Sequence, residues 1–318
     1  MGSGVLVLRN AGSKIGIVAS SLVTSQLACQ SDTAYRSTAW GHASQVLTFW
    51  HLASMDAPTV AVVWALAIAR SVQVHLQPWI IFLLAGGTWT VYVLDRLLDA
   101  RQAIRANALA VLRERHYFHW RHRRTFLALA ACTAAGAAAL IVILMPVAAQ
   151  QHNSLIAIAA LAYFSGVHAP TRLPRWLRQV CSKEMLVGIL FAVGCAAPTL
   201  TRLHPAASPW PIVLSLAFFA VLAWLNCAAI SSWESPRTSR TIPAAIIGFA
   251  VAGLAIAICL PPPLAPTSAL LSSAALSAIL LLALHQFRHR LAPVTLRALA
   301  DLVLLVPALL LIPGVLPR

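Results

Sequence analysis

Carboxylates are scarce in this chain, and two of them stand four residues apart. Asp95 and Asp99 close the stretch that begins Val91-Tyr92. On a helix, residues at i and i+4 share a face, and Tyr92 lies one turn back on it. Two carboxylates so placed repel each other unless a cation lies between them. Carboxylate oxygens suit Mg²⁺, which commonly bridges protein acids and substrate phosphates. The competing reading is a helix-end charge cluster, with both acids paired to Arg96, Arg101 or other arginines of the following loop. A second polar stretch runs from Asn226 to Glu234, two helical turns apart on one face. Asn226 sits inside an apolar run, where polar groups are costly and often functional; an interhelical hydrogen bond is its other role. Glu234 sits at the edge of that run, where a solvated helix end is the alternative.

The elements that carry these residues follow from composition. The chain has 318 residues, 60% of them hydrophobic and only 10% charged, with a mean hydropathy of +0.80. A soluble domain carries roughly a quarter charged residues. The expectation is an all-α, polytopic membrane bundle, which excludes disorder, coiled coil and small secreted scaffolds. Apolar runs of about 20 residues read as spanning helices. Nine are found, at 57–75, 78–98, 125–146, 153–169, 184–200, 210–232, 242–260, 266–286 and 297–315. Asp56, just before the first run, reads as its helix cap. Residues 1–44 are Ser-, Thr- and Gly-rich and read as a poorly ordered tail; 45–318 form one membrane domain. With nine spans, 20 of the 23 lysines and arginines fall on the side of the N-terminus, and only Arg70, Arg202 and Arg318 on the other. That bias places the N-terminus in the cytoplasm and the C-terminus outside the cell (inner) membrane. The net charge of +15 then belongs to loops lying on anionic lipid, not to nucleic acid.

Spans 2 and 6 both end on the cytoplasmic side by this parity. Asp95, Asp99, Asn226 and Glu234 therefore converge there, each motif followed by an arginine-bearing loop. Acids for a metal and cations for a phosphate make a diphosphate site. Here the chain resembles the UbiA superfamily of intramembrane prenyltransferases. That family has nine helices in two similar halves, with Asp-rich motifs ending helices 2 and 6. Asp95 and Asp99 fall on the last two acids of its first motif, N-D-x-x-D-x-x-x-D, with Val91 and Tyr92 in place of its Asn and first Asp. Glu234 fits the terminal acid of the second motif and Asn226 the earlier one; Ile230 between them supplies no ligand. The stretch Ala162-Tyr163 through Arg172 and Arg175 to Lys183-Glu184, then Gly188 and Gly194, resembles the family's helix 4–5 region, where a Tyr and a Lys or Arg approach the substrate.

The resemblance implies Mg²⁺ held by Asp95, Asp99 and Glu234, the catalytic set. It implies a prenyl diphosphate donor contacted by Tyr92, Tyr163, Arg101, Arg172, Lys183 and Asn226, and an aromatic or lipid acceptor. A catalytically inactive relative and a transporter or lipid-binding membrane protein are the alternatives.

The remaining polar residues have plainer readings. His116, His119 and His122 recur every third residue, on a basic helix expected to lie on anionic lipid or to cap the site. Asp301 stands four residues from Arg297, as an ion pair or as a polar contact into the cavity. His285 and His289 end span 8 at the interface. The six cysteines include no C-x-x-C pair and read as core-filling residues.

Overall fold

The computed structural model describes residues 39–105, 113–151, 153–155, 157–158, 183–204, 206, 208–234 and 241–312, with side chains from residue 45 onward. Among them there are helices and no strand. In chain order these are α1 (Ala39–Leu52), α2 (Asp56–Ser71), α3 (Pro78–Arg105), α4 (Glu114–Arg121), α5 (Arg123–Leu144), α6 (Lys183–Leu200), α7 (Trp210–Glu234), α8 (Thr241–Cys259), α9 (Ala265–Phe287) and α10 (Pro293–Leu302). A 3₁₀ segment, Val303–Leu311, continues α10. The chain divides into two units, 1–46 and 47–318; of the first, only the start of α1 is described.

Among the described residues, six helices are long and apolar enough to cross a bilayer: α3, α5, α7, α8, α9 and α10 with its 3₁₀ extension. A seventh crossing is counted if α1 and α2, bent by 87° at their junction, are taken as one span. The chain is an integral membrane protein. Residues 184–200 form a shorter apolar helix, and the expected span at 153–169 lies mostly outside the described residues. α1 starts at Ala39, inside the segment expected to be a tail. The apolar residues that follow, from Val46 to Trp50, carry the helix, and helix growth is cooperative enough to extend upstream of them.

α2 is the central helix. Trp64 and Ile68 on it are wholly buried. The Trp64 ring stacks on Phe219 of α7 with centroids 3.9 Å apart, and its indole N–H donates to the Leu304 carbonyl at 3.0 Å. α6 and α7 approach closely at Gly188, where an added Cβ would meet the Ala220 oxygen and the Trp224 nitrogen at 3.0 Å. α5 differs: only 6% of its apolar window is buried, and Val142 and Ile143 point outward. Such an exposed apolar helix suits lipid.

The α1–α2 bend has an electrostatic cause. It joins the C-terminal end of one helix to the N-terminal end of the next, so carbonyls and N–H groups without helical partners face one corner. Arg96 of α3 donates to the His51 carbonyl at the α1 end, 2.9 Å away. Asp56, the first residue of α2, accepts from the Ala57 N–H at 2.9 Å. Between them Ser54 is wholly buried with φ at +61°, a left-handed conformation that non-glycine residues adopt at some cost. The Trp89 indole N–H donates to the Ala53 carbonyl at 3.0 Å and helps hold the corner.

Candidate functional site

A cavity of about 690 Å³ opens at one end of the helices. It is bounded by the start of α2, the end of α3, α4, the start of α6, the end of α7 and α10. α3 turns one face to it: Tyr92, Asp95, Arg96 and Asp99. α7 presents Ala223, Asn226, Cys227 and Ile230 at the same helical spacing, and α6 presents Glu184, Gly188 and Phe191. α4 adds Arg113, which caps it, with Arg115 and His116. Five of the chain's eight acids line this space: Asp56, Asp95, Asp99, Glu184 and Asp301. Val60, Phe191, Ala223, Ile230 and Leu304 supply apolar wall.

Of the residues singled out from sequence, Tyr92, Asp95, Asp99 and Asn226 are gathered around the cavity. Glu234 is not among its lining residues. It is the last residue of α7 and ion-pairs with both Arg113 and Arg297. It therefore ties α4 and α10 to α7. Asn226 donates its amide N–H to Asp301 at 3.0 Å, so it serves as a positioning contact between α7 and α10. Arg101 is exposed and does not line the cavity. Tyr163, Arg172 and the Lys183 side chain lie outside the described residues.

The deepest part of the site is not assembled by sequence reasoning. His51 Nδ1 lies 2.7 Å from Asp56 Oδ2 and 3.6 Å from Asp301 Oδ2. Arg96 reaches Asp56 Oδ2 at 3.3 Å. Buried ionised groups must neutralise one another, because desolvation of a lone charge costs several kcal/mol. In sequence, Asp56 reads as a helix cap, Arg96 as a loop cation and Asp301 as the ion-pair partner of Arg297. The signals available are Arg96 flanked by two acids, and a His five residues before an Asp that opens an apolar run. Neither signal names the third partner, since Asp301 is 245 positions from Asp56.

The α4 histidines also differ from the lipid-surface expectation. His116 and His119 are buried, and only His122 is exposed. Burial, reinforced by Arg115, Arg96, Arg113 and Arg297, pushes the His116 pKa down to about 3. Its 3.8 Å approach to Asp99 Oδ2 is thus the contact of a neutral ring. His119 is held to about 4, mainly by burial, and its tautomer follows from its partners. Nδ1–H donates to the Arg115 carbonyl at 2.8 Å, so Nε2 accepts from the Ser54 hydroxyl at 3.0 Å. Its ring stacks on Phe126 of α5, centroids 4.2 Å apart. Burial and the neighbouring Arg96, Arg297 and Arg113 lower Arg115 to about 10, which leaves it charged at neutral pH.

No family model, curated protein or solved structure matches the chain.

Proposed function

We propose that this protein is a UbiA-like intramembrane prenyltransferase, moving a prenyl group from a prenyl diphosphate to an aromatic or lipid acceptor at the cytoplasmic membrane face. The observation that carries this reading is the convergence of five of eight acids, with arginines, on one cavity that also has apolar walls. An ion-coupled transporter would instead put its polar groups at the bilayer midplane.

The nine-span reading gains support from parity. The cavity is lined by the start of α2, the end of α3, the start of α6 and the end of α7, with Asp301 and Leu304 from the middle of the last span. α5 follows α4 directly and contributes none of its 22 residues to the cavity, yet α6 begins at it. One more crossing between them, at 153–169, restores the count of nine. The charge bias then assigns the cavity face to the cytoplasm.

The acids fit Mg²⁺. Asp95 and Asp99 offer oxygen donors from one helix face, the donor type this ion prefers, and both line the cavity. When bound there, the ion would neutralise charge building on the diphosphate leaving group. The chain's own residues do the rest. Arg113 and Arg115 place guanidinium charge beside the polar end of the cavity, where a diphosphate would be gripped through charge-assisted hydrogen bonds. Phe191, Ala223, Ile230 and Leu304 form a wall that takes an isoprenoid chain and keeps water from an allylic cation. The Tyr92 and Phe191 rings meet edge to face at 6.5 Å and can turn electron-rich faces to that cation.

One observation favours the second reading, a relative that binds without turning over. α7 brings no carboxylate to the cavity, because Glu234 is committed to Arg113 and Arg297. The test uses purified protein and farnesyl or geranylgeranyl diphosphate, with and without Mg²⁺. Mg²⁺-dependent binding that is lost in Asp95→Asn is expected. Absence of binding across several chain lengths would remove the transferase reading, and binding without product in a broad acceptor screen would select the inactive relative.

A further inference from the structure

We propose a second, separate cation site at the inner wall of the cavity, built from His51, Asp56 and Asp301 and suited to Zn²⁺ or a similar first-row transition ion. This goes beyond the transferase reading and does not depend on it. One ligand atom from each residue lies within 4.8 Å of the others. Metal–donor bonds of about 2.1 Å at tetrahedral angles put neighbouring donors about 3.4 Å apart. The His51 Nδ1 separations of 2.7 Å and 3.6 Å bracket that spacing.

Independent evidence comes from polar atoms left without hydrogen bonds. His51 is 2% exposed, and its Nδ1 meets Asp56 Oδ2 at 2.7 Å without a hydrogen bond of regular geometry. Asn226 is 3% exposed, and its Oδ1 is likewise without a partner while its amide N–H is spent on Asp301. Both residues line the cavity. Buried polar atoms without partners are rare and call for an explanation. A cation seated among His51, Asp56 and Asp301 would satisfy the His51 nitrogen, and Asn226, bonded to Asp301, stands beside it.

The donor set discriminates between metals. An imidazole nitrogen with two carboxylates suits Zn²⁺ and its neighbours, whereas Mg²⁺ prefers oxygen alone. Asp56 is already oriented by the Ala57 N–H and by Arg96, and Asp301 by Asn226, which is the outer support a metal site requires. The competing arrangement has no metal: a protonated His51 and Arg96 balance Asp56 and Asp301.

The experiment uses the full chain in detergent, with any affinity tag removed, equilibrated with Zn²⁺ and then freed of excess ion. One zinc per chain is expected, falling at least about tenfold in His51→Ala and in Asp301→Asn because a ligand is lost. Asp95→Asn should keep its zinc. X-ray absorption on the wild type guards against variants that misfold: one imidazole and only oxygens otherwise, near 2.0–2.2 Å, are expected. Wild type without zinc, a spectrum with two imidazoles or any sulfur, or undiminished zinc in folded variants would each overturn the site. Zinc retained in a protein that shows no Mg²⁺-dependent diphosphate binding would sink the transferase reading and leave this one standing.

Discussion

Neighbouring residues on α3 have opposite jobs, and substitution should separate them. Asp95 is half-buried at a solvent-reachable rim, whereas Arg96 is buried against Asp56. Asp95→Asn keeps shape and polarity but removes charge that a bound cation needs, so turnover should fall about 100-fold or more, while thermal unfolding stays near that of the wild type. Arg96→Met should do the reverse of that stability pattern. It leaves Asp56 with His51 as its one remaining charged partner, so the loss should reach at most the roughly 3–5 kcal/mol of a broken buried pair. Adding Asp56→Asn should recover part of the loss, since the under-compensated charge goes with it. A melt of Arg96→Met that matches the wild type would refute the pairing. The α4 histidines make a pH prediction. In the folded chain His116 and His119 stay neutral down to about 3 and about 4; in the unfolded chain they protonate near their ordinary value of about 6.5. Between those values the unfolded state holds more protons, so stability rises with pH and is lost as pH falls from about 6.5. Melting temperature measured from pH 7.5 to 5 should drop, and His119→Asn should flatten the slope. An unchanged slope in that variant would exclude His119 as the cause.

At the scale of elements, the α6–α7 crossing sets the width of the cavity. Gly188 lies in that crossing and also lines the site, and its missing Cβ would press on the α7 backbone. Gly188→Ala should therefore cost about 1–3 kcal/mol by overpacking and weaken any ligand the cavity holds. Gly194, on the same helix with nothing within 4 Å of a built Cβ, is the control: Gly194→Ala should be neutral or stabilise by up to about 1 kcal/mol. Equal effects from the two would show that α6 is not pinned against α7 at Gly188. Elements are also where the sequence is most readable. Eight of the nine apolar runs correspond to helices in the described residues, because twenty-residue apolar stretches bounded by charge or proline leave little choice. The facing of Asp95 and Asp99 toward Asn226 also follows, from helix period and parity alone. What does not follow is the corner at Ala53–Met55, which turns His51 and Asp56 toward each other, and the depth of α4. Both depend on contacts between residues far apart in sequence: Ser54 with His119, and Arg96 with Asp56. Hydropathy assigns α4 to the lipid surface because its charges dominate the average, while His116 and His119 pack inward.

At the scale of the whole molecule, the alternation of helix ends at the cavity carries a statement about sidedness. α3 and α7 finish at the cavity, and α6 starts there; the link between α6 and α7 must then lie at the opposite end of these helices. On the proposed orientation, the lysine and arginine bias puts α4 and its arginines on the cytoplasmic side and the link between α6 and α7 on the other. Arg121 and Ser208 are both exposed and serve as reporters. In a cysteine-free background, Ser208→Cys should react with a membrane-impermeant maleimide on intact cells. Arg121→Cys should react only after the membrane is opened. The reverse pattern would keep the bundle and invert it, moving the cavity away from the side where arginine-rich loops and anionic lipid meet. Labelling of both from one side would break the alternation of helix ends, and with it the ninth span and the UbiA-like arrangement built on it.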